Sequence, residues 1–122
     1  GMFRGMFLTS ALAKGREREA EWGSADKILY MATAGGAKAM GLSDCDCLAA
    51  GKKADLIMLD LKQPNMQPEN DIAKNIVYSG SKQNVIMTMV NGRILYENGP
   101  FEIGFDPKEI YAKANAVIGR MK

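Results

Sequence analysis

Two cysteines and two aspartates alternate in Asp44-Cys45-Asp46-Cys47, the densest run of potential metal ligands in the sequence. Thiolates hold zinc tetrahedrally, so a pair of them needs two further ligands. Histidine is absent from the sequence and no third cysteine exists, so the expected partners of a closed structural site are missing. The one-residue spacing also departs from the Cys-x-x-Cys of redox motifs. In a cytoplasmic setting the pair reads as two reduced thiols in a turn. Asp55 is the other acid that invites a catalytic role. A lone carboxylate at the start of an apolar run, with no second acid, base or ligand beside it, reads instead as a hydrogen-bonded structural residue. Gly35-Gly36 lacks the preceding apolar strand and the Lys-Ser/Thr of a phosphate-binding loop. No serine or cysteine nucleophile stands with a base, and the nine methionines are spread where adaptable packing accounts for them. The residues therefore nominate no catalytic, cofactor-binding or metal site.

The elements around these residues follow from periodicity. Met2 to about Ala20 predicts a helix, apolar nearly all round in its first half and charged in its second, and so buried at one end and wet at the other. Trp22-Gly23 breaks it, and Ser24 is placed to cap a second helix through Ile28, Leu29 and Met31. Gly35-Gly36 is expected to interrupt that helix before a short piece, Ala37 to Met40, which ends at Gly41. Small residues from Ala32 to Ala37 permit close helix packing. Ala54 to Leu61 is apolar on both alternating sets apart from its aspartates, the pattern of a strand covered on both faces. A loop with Pro64 and Pro68 leads to a short helix over Ile72 to Tyr78, closed at Ser79-Gly80-Ser81.

Val85–Val90 and Arg93–Glu97 flank Asn91-Gly92, a two-residue hairpin signal, because both turn positions need positive φ. The two-residue turn predicts Val90 opposite Arg93, Met89 opposite Ile94 and Met87 opposite Tyr96, with Met87, Met89, Ile94 and Tyr96 forming the core face. Asp106-Pro-Lys-Glu109 has the order of an N-cap, a first-position proline and a capping-box acid. Ile110, Ala114, Val117, Ile118 and Met121 then recur at helical spacing, a stripe for a core or a partner. The fold class is α+β: N-terminal helices, a small sheet with the Asn-Gly hairpin, and a C-terminal helix.

A formal net charge of +2 over 122 residues, with lysines and arginines dispersed, argues against nucleic-acid or membrane partners. The charged run from Lys14 to Glu21 alternates sign and suits a solvated helix face. No apolar stretch is long enough to span a bilayer, and no signal-peptide pattern opens the chain, so the expected compartment is the cytoplasm.

Three segments in order carry a family resemblance: Met31-Ala-Thr-Ala-Gly-Gly-Ala-Lys-Ala-Met-Gly-Leu42, Gly51-Lys-Lys-Ala-Asp-Leu-Ile-Met-Leu-Asp60, and Asn75-Ile-Val-Tyr-Ser79 with Val90-Asn-Gly-Arg-Ile-Leu95 after it. Together they resemble the C-terminal portion of the amidohydrolase superfamily, in its branch of cytosine-deaminase-like and 5-methylthioadenosine/S-adenosylhomocysteine deaminases, with chlorohydrolases close by. Asp44-Cys-Asp-Cys47 departs from the Gly-Ser-Leu-like turn those relatives carry, which leaves the geometry of this turn open. The resemblance implies a metal-binding barrel, with zinc or another divalent cation held by histidines and a late aspartate, all lying N-terminal to Met2-Phe-Arg-Gly-Met-Phe7. Residues 1–48 would then be the helical end of that barrel, and 49–122 the C-terminal share of a small β-sandwich domain. On this reading the chain is an incomplete fragment, catalytically silent alone and without a cofactor of its own. Its parent would be a hydrolytic deaminase acting on C–N bonds of aminopurine-type substrates. Its partner is expected to be a second copy of itself or the missing N-terminal barrel portion. The alternatives are the C-terminal subunit of a split hydrolase and a non-catalytic oligomerisation or binding module.

Overall fold

Residues 2–17 contain no proline and few β-branched side chains, and in the computed structural model they form helix α1 (Met2–Glu17). The structure describes residues 1–17 and 23–121. The predicted extension of α1 to Ala20 and the break at Trp22 lie outside the described residues. Only one side of α1 meets the rest of the chain: Met6 and Ser10 are buried, while Met2, Phe7, Leu8 and Leu12 are exposed. The apolar half of α1 is thus not enclosed within this chain, because its apolar residues surround the helix and its packing partners do not.

Ser24 sits at the N-cap of α2 (Ala25–Tyr30) with extended backbone, but its side chain makes no capping hydrogen bond. Gly35-Gly36 does not interrupt the helical path. A widened π-helical turn, Met31–Gly35, carries the helix directly into α3 (Gly36–Ala39), with both glycines at helical φ and ψ. Glycine suits this turn for a steric reason. A Cβ at Gly35 would lie 3.1 Å from the Tyr30 carbonyl oxygen, and one at Gly36 3.2 Å from that of Met31. Gly41, at φ +72°, ends the run.

A polar stretch beyond Gly41 leads into β1 (Leu56–Leu59). The predicted loop then holds a 3₁₀ turn, Pro64–Met66, whose Met66 is wholly buried. Helix α4 (Ile72–Lys74), capped by the Asp71 carboxylate accepting from the Lys74 N–H, passes into a second π-helical turn, Asn75–Ser79. Met6, Ala25, Ile28 and Val77 form a buried cluster, with Phe3, Leu29, Ile76 and Tyr78 packed around it. It joins α1 and α2 to the 72–79 segment, so residues far apart in the sequence share one core.

β2 (Val85–Val90) and β3 (Arg93–Glu97) pair antiparallel, with Asn91 at φ +49° and Gly92 at φ +77° between them. The sheet order is β1-β2-β3. Val90 opposes Arg93 and Met89 opposes Ile94, but then the register slips: Thr88 opposes Tyr96 and Met87 opposes Glu97. Leu95 is the extra residue of a β-bulge. The bulge moves Tyr96 off the predicted core face with Met87 and onto the Thr88 face, where its ring stands 5.1 Å from that of Phe101. Nor is β1 covered on both sides, since Ile57 and Met58, which point to opposite faces, are 54% and 50% exposed.

Helix α5 (Pro107–Met121) comes after Asp106, whose carboxylate accepts from the Lys108 N–H at 2.9 Å. Every residue from Lys108 to Met121 is exposed. Its apolar stripe therefore contributes nothing to the core of this chain.

Candidate functional site

Asp44-Cys45-Asp46-Cys47 occupies a bent loop held to the turn before β1 by two ion pairs. Lys53 Nζ lies 2.5 Å from Asp44 Oδ2, and Lys52 Nζ 2.6 Å from Asp46 Oδ1. The Lys53 N–H donates to the Asp44 carbonyl at 2.7 Å, and Lys52 Nζ also donates to the Ser43 carbonyl. Each lysine, by hydrogen bonding, holds its aspartate below the usual carboxylate range, and the lysines are raised in return. Burial raises the Cys45 thiol, and its hydrogen bond to the Asp55 carboxylate raises it further. Cys45 is half-buried and Cys47 exposed, both unpaired.

Asp55 has the structural role its sequence position suggested. Its Oδ1 accepts from the Asn91 N–H at 2.6 Å, tying the entry of β1 to the hairpin turn.

A second polar cluster has almost no signature in the sequence. Ser10 is wholly buried and donates through Oγ to the Gly23 carbonyl at 2.6 Å. With that proton committed, Ser10 Oγ accepts from the Tyr78 hydroxyl at 2.8 Å, which in turn accepts from Lys14 Nζ. The Lys14 hydrogen bond, then that of Ser10, holds the Tyr78 phenol below its usual range. Ser10 and Lys14 are one helical turn apart, which places them on one face of α1, but nothing local in the sequence announces Tyr78. Gly23 is fitted to the same spot, since a Cβ there would stand 2.7 Å from the Ser10 carbonyl oxygen.

Two clefts are largely apolar. One, of about 630 Å³, lies between the start of α1 and the 77–85 segment and is lined by Phe3, Phe7, Val77 and Val85, with Arg4 and Lys82 also contributing. The other, of about 610 Å³, lies between the sheet and the chain after it, against Thr88, Leu95, Tyr96 and Phe101. Among the described residues no three Cys, Asp or Glu side chains converge to hold a metal ion.

The sequence pattern of the Amidohydrolase family matches residues 2–95. The chain belongs to the amidohydrolase family. Among amidohydrolases, the 5-methylthioadenosine/S-adenosylhomocysteine deaminase of Moorella thermoacetica is 43% identical over 103 residues, which cover 84% of this chain and 24% of that protein. An adenosine deaminase from Xanthomonas campestris with bound zinc superposes on 98% of this chain and 27% of its own, at a TM-score of 0.91 and 28% identity. Atrazine chlorohydrolase from Arthrobacter aurescens, complexed with zinc, covers 95% of this chain and 26% of its own, at 0.82 and 29%. The chain thus spans about a quarter of the length of these amidohydrolases. With histidine absent from the sequence and no converging acids or thiols among the described residues, the side chains present do not fit the zinc carried by those solved relatives.

Proposed function

We propose that this chain is the C-terminal portion of a metal-dependent amidohydrolase whose whole acts on the C–N bond of an aminopurine-type substrate, and that alone it holds no stoichiometric metal and hydrolyses nothing. The observation that carries this reading is a pairing of near-complete likeness with missing ligands. Almost the entire chain superposes on a quarter of a zinc-bound adenosine deaminase, yet it lacks histidine altogether. Metal-assisted hydrolysis needs a cation that brings the pKa of bound water from about 15.7 to about 7. No pair of side chains in the clusters above replaces that activation: the Asp44 and Asp46 carboxylates are engaged by lysines, and Asp55 by a backbone N–H.

In this reading the chain's contribution is structural. Residues 1–48 would close the barrel and 49–122 would complete the small β domain. The cleft beside Phe3 and Phe7 and the exposed Leu8 and Leu12 offer the apolar surface that the remainder of the barrel would cover. A second reading, an oligomerisation module, is supported by the exposed stripe on α5.

Elemental analysis of the purified chain together with an ammonia-release assay on 5-methylthioadenosine and adenosine tests the proposal. The expected result is no stoichiometric metal and no turnover. One tightly bound zinc per chain, or deamination that survives repurification, would sink it.

A further inference from the structure

We propose that Cys47 and Cys45 form a thiol–disulfide exchange site for low-molecular-weight disulfides, Cys47 being the attacking thiol and Cys45 the resolving one. Covalent geometry keeps the two residues within reach of each other. Consecutive Cα atoms are about 3.8 Å apart, so residues two apart lie within about 7.6 Å even when extended, and a bend brings them into the roughly 4.4–6.8 Å that a disulfide spans. The chain changes direction over residues 45–48. The loop is also held in place, because the carboxylates of Asp44 and Asp46 are each anchored on a lysine at 2.5 and 2.6 Å. Those ion pairs offset two negative charges that would otherwise repel a neighbouring thiolate.

The two thiols differ in the way such a sequence of steps requires. Cys47 is exposed, whereas Cys45 is half-buried and burial, then the Asp55 carboxylate, raises its thiol. Attack by the Cys47 thiolate on glutathione disulfide forms a Cys47–glutathione mixed disulfide and expels one glutathione thiolate. The Cys45 proton passes to that thiolate, directly or through water. The Cys45 thiolate then attacks the Cys47 sulfur, forming the internal disulfide and releasing the second glutathione, which takes up a proton from water. Two protein thiols are oxidised and one glutathione disulfide is reduced to two glutathiones. Asp55 links the site to the sheet, since the carboxylate that raises the Cys45 thiol also holds the Asn91 N–H at 2.6 Å.

The test is intact-mass analysis of the reduced chain after exposure to glutathione disulfide, with Cys45→Ser, Cys47→Ser and the double variant alongside. The wild-type chain should end two hydrogens lighter, with no glutathione retained. Cys45→Ser should stop at the mixed disulfide on Cys47. Cys47→Ser should acquire glutathione about tenfold more slowly than Cys45→Ser, as expected when the remaining thiol is shielded. The double variant, with unchanged circular dichroism, should stay unmodified and fixes the baseline. Retained glutathione on the wild-type chain, chain-to-chain crosslinks, thiols that remain unreacted, or equal rates for the two single variants would each overturn the assignment.

Discussion

Tyr78 joins three stretches of chain through one oxygen: it donates to Ser10, accepts from Lys14, and lies beside the Gly23 carbonyl at 3.4 Å. As a phenolate it would accept from Lys14, and from Ser10 once that hydroxyl turns from the Gly23 carbonyl, which is why its pKa is lowered. An acid whose folded pKa lies below its unfolded value, near 10 for tyrosine, gains stability for the fold as pH rises through the folded value, and holds all of it above the unfolded one. That gain is lost as pH falls through the folded value. Phenolate absorbance should therefore show an ionisation step below the usual tyrosine range, and Tyr78→Phe should remove that step. The melting-point difference between wild type and Tyr78→Phe should widen from neutral pH toward pH ~10; a constant difference would refute the pairing. Little of this was legible in sequence, because 64 residues separate Lys14 from Tyr78 and only the α1 spacing is local. Asp55 was legible, since a carboxylate without a chemical partner at a strand entry needs a hydrogen bond and finds the Asn91 N–H.

Asn91-Gly92 is the element whose sequence signal was most direct, and it also limits what such a signal can say. Proline at position 91 would be forced to φ near −65° where the backbone holds +49°, and would delete the N–H donated to Asp55. Asn91→Pro should cost about 3 kcal/mol or more and lower the melting midpoint by roughly 10 °C or more; an unchanged midpoint would mean the turn is assigned wrongly. The strands on either side end where their residues predict, yet the register beyond Met89 does not. The bulge at Leu95 carries no glycine or other marker, so strict alternation placed Tyr96 on the wrong face. The glycines at 35 and 36 misled in the opposite sense. Glycine permits a break without imposing one, and here the missing Cβ atoms make room for a widened turn that keeps the helix running.

At the scale of the whole molecule, apolar surface is left without cover along α1, on both faces of β1 and along α5, and among the described residues β1 is an open sheet edge, whereas the outer side of β3 is bridged by Phe101. Unpaired edges and apolar patches recruit partners. Light scattering coupled to size exclusion at micromolar concentration should give a dimer or higher oligomer, and a monodisperse monomer would argue against both the barrel-remnant reading and self-association. Burial of this kind is not legible in sequence, because periodicity identifies a stripe without saying what stands opposite it. Ile110, Val117, Ile118 and Met121 recur as a core stripe should, yet are 44%, 50%, 54% and 82% exposed. A 15-residue helix is close to the length at which helices in water are marginal on their own. While nothing covers that stripe, α5 stands outside the molecule's cooperative unit, fraying and re-forming on its own local equilibrium. A single two-state free energy of unfolding then describes the helical core and sheet, not the chain.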